Sequence, residues 1–395
     1  MVAKLRVGVL YGSRSVEHEV SVITGMQVMS GLASDRYEVT PLYVTKNGEW
    51  LTGDKLRKLA TYQGPSENRR GLPRVSLLPA PNGGLLQFAD RPRFSPFGQP
   101  AKLAIDVAFP CFHGTFGEDG TIQGLLELAD IPYVGSGVLA SAVGMDKIAM
   151  KAVFRSAGLP ILECQVVRHA EWTLSPARVI GRLESTIGYP AFVKPANLGS
   201  SIGISKATDE PSLRNAIDVA ASYDRRILVE PSLEGAIDVN CSVLGFDDIV
   251  EASVCEQPIS WETFLSYDDK YIRGGKGQGM KGQSRRIPAP ISDSATREIQ
   301  DLAKQAFVAI DAAGVARIDF LLTRDDRIYV NEINTLPGSL AFYLWEATDL
   351  PFPKLLDRLI EIATTRHNGR RGLTYSFDSA LLRKTLEGSG KGRGR

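Results

Sequence analysis

ARIDFLLTRDDRIYVNEINTLPG, residues 316–338, decides how this chain is read. Two apolar runs, 318–322 and 328–330, flank a polar turn at 323–326, which is the pattern of a β-hairpin. Strand side chains alternate between faces, so Arg317 and Asp319 share one face, and Glu332 and Asn334 share a face on the partner strand. In a register that lets those faces coincide, two carboxylates, a carboxamide and a guanidinium meet at one edge of a sheet. Asp319, Glu332 and Asn334 offer only hard oxygen donors, a set that suits Mg²⁺ rather than zinc and leaves room for substrate phosphates. Arg317 beside such a site would neutralise negative charge growing in a transition state. The same residues also fit a solvated hairpin with a surface ion pair of little worth. What separates the two readings lies upstream.

A chain of 395 residues has room for two or three domains. With 43% apolar and 23% charged residues it has the composition of an ordinary globular protein. A net charge of +1 gives no electrostatic footprint for nucleic acid or a membrane surface, and neither partner is expected. Cys111, Cys164, Cys241 and Cys255 show neither CxxC nor Cys/His metal spacing, which fits free thiols in a reducing cytoplasm. No apolar run approaches the roughly 18 residues that span a bilayer, and the apolar stretch before Gly12 is too short for a signal peptide.

The N-terminal pattern is strand, turn, helix: residues 5–11, Gly12-Ser13, then a helix over about 20–32. The loop between them, GSRSVEHEVS, carries Glu17 where open α/β sheets bind ligands. A second strand is expected at 39–44. Residues 50–100 read as an insertion with short strands at 74–78 and 84–88, and a buried strand follows at 104–110. His113 then stands at a strand exit before the Gly-rich HGTFGEDGTIQG, which leads into a helix over 121–129. A domain boundary is expected at 135–137. Residues 138–157, with Lys147, read as one helix stopped by Gly158 and Pro160.

Next, GYPAFVKPANLGSSIGIS reads as a hairpin with strands at 191–193 and 202–204. Its small, donor-rich tip, with Ser200 and Ser201, can cap a phosphate, although no GxxxxGK[ST] motif is present. Strand 227–230 ends on Glu230, and strand 238–244 opens on Asp238. Residues 260–290 form a Gly-rich basic loop, either a lid over phosphates or a surface excursion. Helices are expected at 296–313 and 352–363. The basic tail, 366–395, with a short amphipathic patch near 379–386, is expected to be disordered.

Together these pieces resemble the D-alanine–D-alanine ligases of the ATP-grasp superfamily, over about residues 5–363 with 50–100 outside the match. The resemblance rests on GSRSVEHEVS, HGTFGEDGTIQG, GSGVLASAVGMDK, VKPANLGSSIGISK, YDDKY, ARIDFLL and NEINTLPG, in that order. It implies an α/β fold, α+β in the C-terminal half, in three domains. These would be an N-terminal open parallel sheet (1–136), a central ATP-grasp subdomain (137–230) and a C-terminal one (231–365). It further implies ATP and two Mg²⁺ (or Mn²⁺) ions as cofactors, D-amino acids as small-molecule substrates, and a homodimer.

Carried over by motif, Lys147, Lys194 and Lys270 would contact the nucleotide phosphates, and Ser200 and Ser201 would form the phosphate flap. Glu230 and Leu233 would read adenine, and Asp238 the ribose. Asp319, Glu332 and Asn334 would hold the metal ions. Glu17 would take the first substrate's ammonium in a network with Ser200 and Tyr271, and His113 would approach its carboxylate. Arg317 and the backbone at Gly338 would form the oxyanion site, with Lys270 and Tyr343 in the substrate pocket. The implied chemistry activates one D-alanine as an acyl phosphate that the amine of a second D-alanine attacks.

Three departures bear on the second substrate and the nucleotide. Tyr343 stands where the family usually has a serine, five residues past Gly338. Residues 272–287 are longer and more basic than usual, and Pro231 replaces a common lysine. A related ligase joining a different amino acid or hydroxy acid at the second position is therefore the alternative. A non-catalytic ATP or peptide binder would have no need of the complete metal and oxyanion set.

Overall fold

Leu5–Gly12 (β1) becomes fully buried from Val7 onward, as expected for a central parallel strand covered on both faces. It pairs in parallel with Tyr37–Val44 (β2) and with Val107–Pro110 (β7), and helix His18–Gly31 (α1) returns between β1 and β2. The structure, a computed structural model, describes residues 3–63, 69–81, 84–89, 102–199, 201–259 and 285–375. Of the basic loop expected over 260–290, residues 260–284, with Lys270 and Tyr271, lie outside them, as do the flap residue Ser200 and the tail 376–395, while the loop's described end begins with a short strand, Arg285–Arg286.

The insertion is shorter than its composition suggests. Trp50–Thr52 (β3) pairs antiparallel with β2 and belongs to the main sheet, whose order is β3-β2-β1-β7. Val75–Leu77 (β4) and Leu85–Phe88 (β5) are the two expected strands. They form a separate three-stranded sheet with Lys102–Ala104 (β6). The stretch 104–110, expected as one strand, is thus the end of β6 and then β7, with buried Ile105 between them.

Helices Thr121–Leu128 (α2), Val138–Met145 (α3) and Lys147–Ser156 (α4) lead to the central unit. The single helix expected over 138–157 is broken at Asp146, whose backbone is extended and whose Oδ1 accepts from Ile148 N (3.1 Å) and Ala149 N (3.0 Å). An aspartate offering an N-cap competes well against helix continuation, and Arg226 pairs with the same carboxylate.

The central sheet is antiparallel, with Gln165–Arg168 (β8), Ala191–Pro195 (β9), Ser205–Ala207 (β10) and Arg226–Pro231 (β11) in the order β10-β9-β11-β8. Beside it lie His169–Leu174 (α5), Pro176–Thr186 (α6) and Glu210–Ala221 (α7). Residues 202–204, expected as the return strand of the hairpin, are part of the turn. β10 begins at Ser205, which pairs with Val193.

The C-terminal sheet contains Ile237–Phe246 (β12), Ile249–Pro258 (β13), Arg285–Arg286 (β14), Gly314–Leu322 (β15) and Ile328–Asn334 (β16), ordered β14-β13-β12-β15-β16. Asp293–Ala309 (α8) covers it through Ile299, Ala303 and Phe307. Capped by Ser292, this helix starts earlier and ends earlier than the expected 296–313. Phe342–Glu346 (α9) and Phe352–Arg370 (α10) complete the described chain. Leu355, Leu356 and Leu359 of α10 join the N-terminal core around Val7, Tyr37 and Val107. The helix runs beyond 363 into the segment expected to be disordered. Arg366 donates to Gly135 O (2.7 Å) and Arg370 pairs with Glu127. Among the described residues no helix is long and apolar enough to cross a membrane.

Candidate active site

In the hairpin β15–β16, β15 alternates as expected, and a bulge at Asn331 of β16 turns Glu332 and Asn334 onto the face of Arg317 and Asp319. The register sets Arg317 opposite Asn334 and Asp319 opposite Glu332, with an irregularity just after Asp319. Arg317 grips Asp319 with both arms of its fork, Nε to Oδ1 (2.7 Å) and Nη2 to Oδ2 (2.8 Å). Asn334 Nδ2 donates to Asp319 Oδ2 (3.1 Å), so its amide oxygen is the acceptor left to face outward. Two carboxylates and one carboxamide oxygen at a sheet edge, beside a wide cleft, fit an oxygen-ligated Mg²⁺ that also binds phosphates. Among the described residues no group of three His, Cys, Asp or Glu side chains is placed to hold a metal ion, so the donor set here is two carboxylates and a carboxamide.

Lysines from α4 and β9 close the same edge. Lys147 Nζ lies 3.5 Å from Glu332 Oε2 and donates to Leu198 O (2.9 Å) at the flap. Lys194 Nζ donates to Asn331 Oδ1 (3.4 Å) and pairs with Glu230. Lys151, one helical turn beyond Lys147, reaches the other oxygen of Glu230 at 2.9 Å. Glu230 is only 1% exposed. Burial alone would raise its carboxyl, but the Lys194 and Lys151 ammonium groups outweigh that and hold it at about 2. The three charges form one buried unit, and the Glu230 carboxylate is spent inside it.

On the N-terminal side, Glu17 precedes α1 and is 5% exposed. A Cβ added to Gly114 would lie 2.6 Å from Glu17 Oε2, and one added to Gly199 would lie 3.1 Å away. The loop after β7 and the flap tip therefore both close onto this carboxylate. His113 is 3% exposed, with Nε2 2.9 Å from Thr24 Oγ1 and a further bond to the backbone of Leu336. Burial pushes it down to about 4, so it is neutral at physiological pH. Glu118 accepts from Gly114 N (2.7 Å). Burial and the nearby Glu17 charge push its carboxyl up to about 8.

Thr24 Oγ1 also accepts from Ser339 N (3.2 Å), which ties α1 to the turn after Pro337. In that turn Ser339, Leu340 and Ala341 all have positive φ (50°, 56° and 49°). Left-handed backbone in three successive non-glycine residues is strained and is kept where a site needs it.

The cleft that gathers these groups has a volume of about 650 Å³. Glu17, His113, Lys147, Lys194, Ser201, Glu230, Leu233, Asp238, Arg317, Asp319, Glu332, Asn334, Gly338 and Tyr343 all line it. The candidate residues Ser200, Lys270 and Tyr271 fall outside the described chain. The structure adds Lys151, Glu118, Glu256 and Arg285. Lys151 was legible from its four-residue spacing to Lys147 on one helix face, and Glu118 from its place in HGTFGEDG. Nothing in the sequence signals the pairing of Glu256 with Arg285.

Two family models match this chain, one described as D-ala D-ala ligase N-terminus over residues 6–136 and one as D-ala D-ala ligase C-terminus over residues 153–361. A D-alanine–D-alanine ligase of Geobacillus thermodenitrificans is 39% identical over 384 residues, covering 95% of this chain and 100% of that protein. One from Thermosipho africanus is 35% identical, covering 97% and 100%. Among solved structures, the D-alanine–D-alanine ligase of Coxiella burnetii aligns with a TM-score of 0.78 at 29% identity, covering 98% and 99% of the two chains. The VanG D-Ala:D-Ser ligase of Enterococcus faecalis aligns with a TM-score of 0.76 at 27% identity, covering 91% and 100%.

Proposed function

Because the chain belongs to the D-alanine–D-alanine ligase family, we propose that it joins two D-alanine molecules into D-alanyl-D-alanine for peptidoglycan, cleaving ATP to ADP and phosphate. The observation that carries this is the convergence of Arg317, Asp319, Glu332 and Asn334 with Lys147 and Lys194 at one edge of a single cleft. A carboxylate is a poor electrophile. The first D-alanine therefore attacks the γ-phosphorus of ATP through a carboxylate oxygen, and ADP leaves. The second amine then attacks the acyl carbon, and phosphate leaves as the amide forms. Most of the rate enhancement is positioning and electrostatics.

In this reading the chain divides at 1–136, 137–230 and 231–365. Lys147 and Lys194 hold the phosphates, with Lys270 and the flap serines 200 and 201 closing over them. The Glu230 carboxylate is committed to its lysines, so adenine meets the backbone at Glu230 and the Leu233 side chain, while Asp238 takes the ribose. Asp319, Glu332 and Asn334 hold two Mg²⁺ or Mn²⁺ ions, which when bound neutralise the phosphate oxygens. Glu17 takes the first substrate's ammonium together with Ser200 and Tyr271. His113, neutral and bonded to Thr24 and Leu336, supports that substrate's carboxylate as a dipole rather than a charge. Arg317 and the Gly338 backbone face the tetrahedral oxyanion. A homodimer working in the cytoplasm on free amino acids completes the proposal.

Tyr343 gives weight to one other reading, a different second substrate, and the similar VanG protein is a D-Ala:D-Ser ligase. The mass of the product formed from D-alanine, ATP and Mg²⁺ distinguishes them. D-Alanyl-D-alanine is expected. ADP formation that yields a product only when another D-amino or D-hydroxy acid is added would overturn the assignment.

A further inference from the structure

One threonine of α1 holds both flanks of the turn that carries Gly338, one flank directly and the other through His113. Thr24 is 1% exposed. Its Oγ1 accepts from Ser339 N (3.2 Å) and lies 2.9 Å from His113 Nε2. His113 is neutral at physiological pH, so its ring has one N–H and one bare nitrogen. The N–H goes to the backbone carbonyl of Leu336, which leaves Nε2 to accept the hydroxyl proton of Thr24. The backbone N–H of Leu336 donates in turn to Glu118. Leu336 and Ser339 flank Pro337 and Gly338, and the left-handed run 339–341 follows directly.

Resting on the ligation reading, we propose that Thr24 is a positioning residue for amide formation: its hydroxyl, acting with His113, clamps residues 336–339 so that the Gly338 backbone meets the oxyanion. A donor stabilises an oxyanion only within hydrogen-bond reach of the place where the charge develops. Three left-handed residues in succession do not keep such a place by themselves, because their strain has to be held by the surroundings. Helix α1 supplies the rigid side. Ser21, one turn before Thr24 on the same buried face, accepts from Gly12 N (2.7 Å) and donates to Cys111 O (2.7 Å). The helix is thereby locked to the end of β1 and the exit of β7.

Glu17 stands at the head of the same helix, about two turns before Thr24. The group that takes the first substrate's ammonium and the group that sets the oxyanion turn are therefore referred to one rigid element. With both ring nitrogens committed, His113 braces the turn and offers the substrate only its dipole. The oxyanion forms when the second amine attacks the acyl carbon, so the clamp bears on that step. Phosphoryl transfer, held by the lysines and the charged hairpin, does not draw on it.

The test follows ADP and dipeptide together in a rapid-quench single turnover, with enzyme in excess over ATP and D-alanine saturating. Thr24→Val keeps the shape and removes the hydroxyl. It is expected to slow dipeptide formation about 30-fold, less than the loss of a whole oxyanion donor, because the Gly338 N–H is displaced and not deleted. ADP formation should stay within about threefold of wild type, so that ADP runs ahead of dipeptide. Thr24→Ser keeps the hydroxyl and should restore most of the rate. Thr24→Ala gives the same comparison if Thr24→Val folds poorly. A second readout is the ¹⁵N spectrum of histidine-labelled protein, with the His113 signals identified by their loss in His113→Gln. Wild type and Thr24→Ser should show His113 protonated at Nδ1 alone, and in Thr24→Val the Nε2 signal should move toward that of an unbonded ring nitrogen. A wild-type enzyme that makes no dipeptide would bring down the ligation reading itself. A wild-type ligase whose His113 carries its proton on Nε2 overturns only the role of Thr24. So does a Thr24→Val variant that keeps the dipeptide rate, or one that loses ADP and dipeptide formation equally.

Discussion

Two hairpins face each other across the cleft, and they are specified by different physics. β15 alternates strictly and β16 alternates on either side of a bulge at Asn331, so that the inward residues Ile318, Phe320, Leu322, Ile328, Val330 and Ile333 are buried in the core of the five-stranded sheet. The outward residues carry the acids, the amide and the arginine. β9–β10 pairs only over Ala191–Val193 with Ser205–Ala207, and the chain between those segments is mostly small residues with little to bury. The charges of the reaction stand on the hairpin whose position the core fixes, while the flap contributes backbone groups and hydroxyls. Two lysines join them: Lys147 touches Leu198 O on the flap side and Glu332 on β16, and Lys194 of β9 reaches Asn331 of β16.

The joint is the place to break this arrangement first. Glu230→Ala removes the anion between Lys194 and Lys151 and leaves two buried ammonium groups opposed, with an expected loss of about 3–5 kcal/mol of stability. Calorimetry of the purified variant reads this as a large fall in Tm, and an unchanged Tm would mean that the lysines do not depend on Glu230. The pair also has a pH signature. Burial raises the Glu230 carboxyl, the two lysines outweigh it, and the folded value of about 2 lies below the ordinary 4.5. Its stabilisation is therefore complete above 4.5 and fades as the pH falls from there through 2. Wild type should lose Tm over that window more steeply than Glu230→Gln.

On the fixed hairpin, Arg317→Ala is expected to lower turnover at least ~100-fold, the loss typical of one oxyanion donor. Its effect on Tm should be smaller than that of Glu230→Ala, because Asn334 still donates to Asp319. Arg317→Lys keeps the charge but not the fork, and should recover only part of the rate. Turnover near the wild-type rate in Arg317→Ala would remove the hairpin from the chemistry and reverse the contrast between the two.

What could be read from the sequence follows the same division. Alternation placed Arg317 with Asp319 and Glu332 with Asn334, since a one-residue slip of β15 would turn Ile318 and Phe320 out of the core, but the two pairs meet on one face because of a bulge at Asn331, which no periodicity marks. The parallel strands β1 and β7 were legible as apolar runs, though β6 hid inside the second. The return strand of the flap was misplaced because Ile202 and Ile204 look like strand residues. In fact Ile202 N bonds back to Gly199 O and Ile204 N to Ser201 O, so the turn holds them. The break at Asp146 is not legible in the sequence, because helix periodicity runs through it and only a cap marks it. Glu256 and Arg285 lie on different strands, 29 residues apart, and a buried ion pair of that kind leaves no periodic trace.

The smallest effect tests the flap by itself. Gly203 has a φ of +72°, and a Cβ there would come within 2.8 Å of the Tyr223 ring and 2.9 Å of Pro195. Gly203→Ala therefore carries the left-handed penalty of about 1–2 kcal/mol, plus whatever the Tyr223 ring fails to yield. The turn from Gly199 to Ile204 should loosen while β15–β16, built on its own core, keeps its geometry. The expected outcome is a KM for ATP raised several-fold, with turnover at saturating ATP nearly unchanged and only a modest fall in Tm. A fall in saturated turnover comparable to that of Arg317→Ala would mean that the flap sets the geometry of the charged hairpin rather than closing over it. The two lysines would then be transmitting strain instead of merely bridging phosphates.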